Sequence, residues 1–373
     1  MVLLDRLRRN DKSYTELVFY ESDFVRTDNF LDLVTAILTN THVKTVHFHD
    51  CANPKWSSKQ VKLLFSAIAR LPNLKYMSIA RTTVTLQSLA VVAEKSVQLQ
   101  ELDVWESKLV ASEDDVRLFA EALRDSRLAA LYLKRVTFGG DGQLDPFFAA
   151  CQESLTVFQL DQVQWTEGAV SDDVFRLLHT TKLVELAIAN LSLHDTQLCA
   201  IAESLRHNKS LKSFILRNIT ICNKAAGQLA DALVVNDRLH RLCLNKCSLS
   251  DVAATTLAKM LLCNSTLTAL ELSNNDIGNQ GAMDLADALL HSCIQQLELQ
   301  GNPRIGAAGI GALVQLAEAS ETLETMKLYT MSRQSSTLNQ LDIQRKIDSC
   351  MNLNARTRDP AHISGKRRKV WCE

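Results

Sequence analysis

The chain has 373 residues, of which 58 are leucine, 12 glycine and 5 proline, and its 41 basic and 42 acidic side chains sum to −1. This composition excludes collagenous, low-complexity and disordered classes, and so little Gly and Pro argues against a sandwich built on many tight turns. Near neutrality removes the cationic excess with which a protein displaces counterions from phosphates, so no nucleic-acid partner is expected.

The first segment, 1–13, breaks its apolar run with Asp5, Arg6, Arg8 and Arg9. It lacks the apolar region of a secretory signal, and Val2, Leu3 and Leu7 suit a short capping helix. From Tyr14 a strand-like string then recurs. After a weaker leading copy, YTELVF, come VKTVHF from Val43, LKYMSI from Leu74, LQELDV from Leu99, LAALYL from Leu128, LTVFQL from Leu155 and LVELAI from Leu183. The series continues as LKSFIL from Leu211, LHRLCL from Leu239, LTALEL from Leu267, IQQLEL from Ile294 and LETMKL from Leu323. The middle apolar residues (17, 46, 77, 102, 131, 158, 186, 214, 242, 270, 297 and 326) step by 25 to 31, mostly 27 to 29.

Between the strings lie stripes at helical spacing, such as Leu198, Ile201, Ala202 and Leu205, or Leu257, Ala258 and Leu261. Ser57 with Gln60 reads as a capping box, and Asp145 before Pro146 as a cap ahead of an N1 proline. One repeat is therefore a strand, a loop and a helix. Its apolar strand face cannot be covered by a single unit of about 28 residues, so units must stack. Helices are wider than strands, which predicts an α/β solenoid curved into a horseshoe: parallel sheet on the concave side, helices on the convex side, eleven or twelve repeats.

The period and the fullest copy, LTALELSNNDIGNQGAMDLADALLHSC from Leu267, resemble the ribonuclease-inhibitor-like class of leucine-rich repeats over residues 14–335. Within that class the chain resembles the repeat regions of NOD-like receptors and Ran GTPase-activating proteins. The resemblance implies a protein-binding module, and fold alone does not choose the partner. The class position that is usually Asn or Cys reads Cys51, Cys247, Asn275 and Asn302, where a buried side chain would satisfy the loop backbone. Elsewhere it reads Thr82, Ser107, Val136, Val163, Leu191 or Ile219, so those turns must satisfy their backbone differently. The longest step carries an insertion around Asn53, Pro54, Lys55 and Trp56. Residues 336–354 predict a closing helix, with Leu338, Leu341, Ile347 and Met351 as its apolar side, and 355–373 a basic, disordered tail.

No apolar run reaches the roughly 18 residues that span a bilayer, so no membrane association is expected. The ten cysteines are scattered, which favours a reduced, cytoplasmic setting. Sequons at Asn190, Asn208, Asn218 and Asn264 read as chance products of Asn-rich loops. Lys366, Arg367, Arg368 and Lys369 resemble a nuclear-import signal.

No phosphate loop, nucleophile elbow, zinc-protease motif or paired C-x-x-C occurs. The chain is therefore expected to be non-enzymatic and monomeric on its own, with no cofactor, metal or small-molecule substrate. His47, His49 and Cys51 could suggest a metal, but Cys51 would turn into the core, away from the imidazoles. Cys243 and Cys247 read as structural for the same reason. The residues flanking the apolar strand positions point out from the sheet: Tyr20, His47, Tyr76, Trp105, Tyr132, Gln159, Asp161, Arg217, Arg241, Lys246, Glu271, Glu298 and Tyr329. Tyr76, Trp105 and Tyr132 fall in consecutive repeats and should lie side by side. Around them are Glu101, Asp103, Glu106, Lys134 and Arg135, the aromatic and charged mixture of an interface hot spot. The expected partner is a folded protein on the concave face. A GTPase activator is the alternative, with exposed arginines such as Arg81 available.

Overall fold

A computed structural model of the chain describes residues 2–20, 30–51, 57–165, 178, 182–328 and 337–357. The insertion at 53–56, Tyr329, the segment 358–373 and with it Lys366, Arg367, Arg368 and Lys369 lie outside the described residues. The chain divides into two compact units, Met1–Leu186 and Ala187–Glu373.

A strand begins inside every recurring string. In the first unit these are Glu16–Tyr20, Thr45–His49, Tyr76–Ala80, Glu101–Trp105, Ala130–Lys134 and Val157–Asp161, then Glu185–Ala189, in which the division falls. The second unit continues with Ser213–Arg217, Arg241–Cys243, Ala269–Glu271, Gln296–Glu298 and Thr325–Lys327. Pairing is parallel and without slip. Leu17 faces Val46, Val46 faces Met77, Met77 faces Leu102, Leu102 faces Leu131 and Leu131 faces Phe158. In the second unit Phe214 faces Leu242, which faces Leu270, then Leu297, then Met326. The apolar side chains that set the period are thus the ones that stack.

Helices fill the intervals, among them Leu86–Lys95, Glu113–Asp125, Asp195–His207, Asn223–Val235 and Asp251–Cys263. The shortest repeat step falls over Leu86–Lys95, ten residues against thirteen in the other four. Strand alternation sends the second and fourth residues under the helices, where Leu17, Phe19, Leu131, Leu133, Leu297 and Leu299 are all buried. The first, third and fifth residues line the helix-free face. This architecture is a leucine-rich-repeat solenoid, α/β in class with a parallel sheet.

At the ends, helix Val2–Arg8 buries Leu7, and helix Thr337–Thr357 buries Ile347 and Met351. Ser57 and Gln60 form the expected capping box, Ser57 N donating to Gln60 Oε1 at 2.8 Å and Gln60 N to Ser57 Oγ at 3.4 Å. Asp145 is not a cap. It is the first helical residue, Leu144 before it already has helical angles, and no side chain caps that end.

The turn position behaves as expected where it is Asn or Cys. Asn275 Nδ2 donates to Leu244 O (2.8 Å) and Leu272 O (2.9 Å), and its Oδ1 accepts from Cys247 N (2.8 Å) and Leu249 N (3.1 Å). Cys51 Sγ donates to His49 O at 3.2 Å and Cys247 Sγ to Leu216 O at 3.4 Å. Hydroxyls reproduce the arrangement at Thr82 and Ser107: Thr82 Oγ1 donates to Ala80 O and accepts from Cys51 N, while Ser107 Oγ donates to Trp105 O and accepts from Thr82 N. These repeats also find a second solution. A minor parallel sheet of Thr83–Thr85, Lys108–Val110 and Thr137–Gly139 pairs the loops directly, as when Lys108 N donates to Thr82 O and Thr137 N to Ser107 O, both at 3.0 Å.

A further row of buried asparagines closes the helices. Asn236 Oδ1 accepts from Arg238 N and Leu239 N, and its Nδ2 donates to Leu205 O at 2.6 Å. Asn264 repeats the pattern one unit on, onto Thr266 N, Leu267 N and Leu233 O. Asn208 and Asn264 are therefore sealed in the core, and neither sequon can carry a glycan in the folded chain.

Asn275→Ala and Asn264→Ala each strand buried backbone groups and should cost about 2–4 kcal/mol in urea unfolding. Exposed Lys259→Ala, on the same helix that Asn264 closes, should stay within about 0.5 kcal/mol of the parent.

Candidate functional site

On the helix-free face of the first unit, three rows of side chains cross the strands. The first-position row runs Glu16, Thr45, Tyr76, Glu101, Ala130, Val157 and Glu185. The third-position row runs Val18, His47, Ser78, Asp103, Tyr132 and Gln159, and the fifth-position row Tyr20, His49, Ala80, Trp105, Lys134 and Asp161. Tyr76, Trp105 and Tyr132 do sit on three neighbouring strands, half-buried. They do not stand side by side, because each occupies a different row: Tyr76 is opposite Glu101, Trp105 opposite Ala80 and Lys134, and Tyr132 opposite Asp103 and Gln159. Sequence spacing gave the strands, but a one-position difference within each string changes the row.

Each ring has its own cation or neighbour. Arg81 Cζ lies 5.1 Å from the Trp105 ring centroid and Lys134 Nζ 5.1 Å from that of Tyr132, both within cation–π range. Tyr76 is next to His47, centroids 5.5 Å apart, and a ring series continues through His49 (6.1 Å from His47) to Tyr20 (5.7 Å from His49). His47 Nδ1 is 2.7 Å from Ser78 Oγ and its Nε2 is 3.3 Å from Glu16 Oε1. Burial holds the His47 imidazole below its ordinary value, with Glu16 opposing and His49 reinforcing that shift. Cys51 is buried with its thiol on backbone carbonyls, so the two histidines share the face without it.

A row of left-handed residues borders the sheet, one after each of ten of its strands. Asp50, Arg81, Glu106, Arg135, Gln162, Asn190, Asn218, Lys246 and Asn274 all have φ between 49° and 58°. Gly301 takes the same place at φ 75°, where a Cβ would meet Asn274 Oδ1 at 2.4 Å. In the first unit the row alternates in sign. Arg81 bonds Asp50 through two nitrogens and lies 3.8 Å from Glu106, which Arg135 meets at 2.5 Å. Arg81 is therefore tied between two carboxylates and an indole. Arg, Glu and Lys are not residues that announce φ > 0, which is why the repeat pattern did not expose this row.

Asp103 is the most strained charge on this face. Its Oδ2 lies 3.7 Å from Lys134 Nζ, while Oδ1 is buried without a hydrogen-bond partner. Burial raises its carboxyl above the ordinary value, against the lowering pull of Lys134 and Tyr76. Tyr132 is likewise raised, by burial first and then by Glu101, Glu185 and Asp103.

In the second unit the open face is basic. Arg241 pairs with Glu271 at 2.7 Å and Lys327 with Glu298 at 2.5 Å, whereas Arg217 and Lys246 are exposed and have no ion-pair partner among the described residues. Ala187, Ile215 and Cys243 form a small buried apolar cluster in the third-position row. Burial pushes the Cys243 thiol up to about 11 and Cys247 up to about 12, so both stay protonated and unreactive at neutral pH. Among the described residues, no group of three or more His, Cys, Asp or Glu is placed to hold a metal ion.

The family model described as "Leucine Rich repeat" matches residues 263–286. No curated protein matches the chain. Among solved structures, leiomodin-1 actin-binding site 2 is similar at 21% identity over 38% of this chain and 79% of that one, TM-score 0.33. The tropomodulin C-terminal domain from Caenorhabditis elegans is similar at 15% identity over 44% and 95%, TM-score 0.35. Rad7, in its yeast complex with Elc1, is similar at 17% identity over 90% and 86%, TM-score 0.41.

The raised Asp103 carboxyl makes a signed prediction. Between its ordinary pKa of 3.8 and the higher folded value the native state holds more protons than the unfolded one, so this group's contribution to stability falls as pH rises through that window. Asp103→Asn should therefore be at least as stable as the parent at pH 7 and lose that advantage in acid, in urea titrations at several pH values.

Proposed function

We propose that this chain is a non-catalytic recognition module that binds a folded protein on the helix-free face of its sheet, with Tyr76, Trp105 and Tyr132 of the first unit as anchors. The observation that carries the reading is the state of those rings. They are only half-buried, yet each rises from a strand whose register and core are fixed by neighbouring repeats, and Trp105 and Tyr132 are further held by Arg81 and Lys134. A surface ordered before contact loses little conformational freedom on binding. Amphipathic rings among charges match the make-up of interface hot spots.

Glu101, Asp103, Glu106, Lys134, Arg135 and Asp161 complete the proposed contact surface of the first unit, and Arg217, Arg241 and Lys246 supply a basic counterpart on the second. An intracellular setting is part of the same proposal, supported by the scattered spacing of the ten cysteines. Nuclear entry through Lys366–Lys369 is part of the proposal as well. Comparing fluorescent fusions with and without 355–373 measures it.

Affinity purification with the full chain, followed by identification of the captured protein, supplies the reagent for the main test. Trp105→Ala with Tyr132→Ala should abolish capture and leave circular dichroism and Tm nearly unchanged, since neither ring belongs to the buried core. Undiminished capture by that double variant would remove this face from the interface. Single-turnover GTP hydrolysis by a captured GTPase would proceed at an unchanged rate.

A further inference from the structure

We propose that the helix-free face of the first unit takes an arginine- or lysine-rich extended segment of its protein partner, seated over Tyr132 between Glu101, Asp103 and Glu185. The inference rests on the protein-binding reading above and adds to it the chemistry of the partner.

The charge on this face is one-sided. Its three rows carry Glu16, Glu101, Asp103, Asp161 and Glu185 against Lys134 alone, five carboxylates to one amine. The alternating ladder of Asp50, Arg81, Glu106 and Arg135 at the sheet border is internally neutral and does not offset them. Neither Glu101 nor Glu185 has an ion-pair partner among the described residues, and both act on Tyr132. Asp103 adds the buried oxygen that lacks a donor.

Only short apolar side chains lie between these acids. In the first-position row only Ala130 and Val157 separate Glu101 from Glu185, beside Tyr132 in the next row. Three inter-strand spacings cover about 14 Å, the reach of roughly four extended residues. The protein already holds one cation there, with Lys134 Nζ 3.7 Å from Asp103 Oδ2 and 5.1 Å from the Tyr132 ring. A guanidinium from a partner can stack on the half-exposed Tyr132 ring and donate to Glu101 or Glu185, bidentate contacts that suit arginine best. Poly-anions, nucleic acids included, are repelled by the same arrangement.

The test measures fluorescence anisotropy of labelled octa-arginine and octa-glutamate peptides with the full chain. Octa-arginine should bind, weaken as salt is raised, and lose about tenfold in Kd for Glu101→Gln with Glu185→Gln. Glu101→Asp with Glu185→Asp should retain binding, and so should Glu94→Gln with Glu121→Gln, two exposed helical positions that control for net charge. Octa-glutamate should not compete with octa-arginine for the Glu101 and Glu185 site, and its own binding should be the same for the parent and for Glu101→Gln with Glu185→Gln; tighter octa-glutamate binding by the parent than by the Gln pair also overturns the inference. Absence of octa-arginine binding, equal loss in the helical control, or full binding by the Gln pair overturns the inference. If it is overturned while Trp105→Ala with Tyr132→Ala still abolishes capture of the purified partner, the binding face stands and only its cationic preference falls.

Discussion

Every repeat of this protein has to turn its backbone through the core twice, once from strand to helix and once from helix to the next strand, and each turn buries peptide groups that no ladder of its own repeat can pair. The neighbour supplies the partners. Asn275 serves carbonyls and amides of two successive repeats, and Asn236 and Asn264 do the same at the helix ends. An unmet buried peptide group costs more than a typical net hydrogen bond returns, so a lone repeat is unstable for polar as well as apolar reasons. The constraint is met in more than one way. Where the side chain is too short or apolar, the loops pair with each other, as in the minor sheet through Thr83–Thr85, Lys108–Val110 and Thr137–Gly139.

That division of labour frees the other half of each strand. The second and fourth residues and the turn positions hold the stack together, joined at the first, third and fifth positions by a few buried residues such as Ser78, Ala80, Ala130, Ile215 and Cys243. Substitution at the remaining, unburied positions leaves the register intact, and chemistry can accumulate there without loss of fold. The first unit has used this freedom for rings and carboxylates, some of them at a cost: Asp103 sits where burial disfavours its charge, and Arg81, Glu106 and Arg135 occupy left-handed backbone that their side chains do not favour. We take the carboxylate kept there against its own stability as support for the proposed contact role of this face.

The stacking residues were legible in the sequence because their period is set by burial. All twelve strands of the main sheet begin inside the recurring strings, and the middle apolar residues face one another from Leu17 to Phe158 and from Phe214 to Met326. The turn Asn and Cys were legible too. Less visible were features that depend on where one repeat meets the next: the helix-closing asparagines, which read as sequons or loop residues, and the left-handed row, which contains Arg, Glu and Lys. The aromatic trio was legible as a set but not as a geometry, since Tyr76, Trp105 and Tyr132 hold the first, fifth and third positions of their strands. Glu185 was missed as a site residue because it shares its strand with Ala187 and Ala189, and only the strand register places it with Glu101 beside Tyr132.

The central claim is that recognition uses the open strand positions of the first unit. Hydroxyl-radical footprinting of the full chain, with and without its captured partner, reads this directly at individual side chains. Protection of Tyr76, Trp105 and Tyr132 is expected, with exposed helical residues such as Leu63 and Leu118 oxidised as before. Protection confined to the helices, with the three rings as reactive as in the free protein, would contradict it.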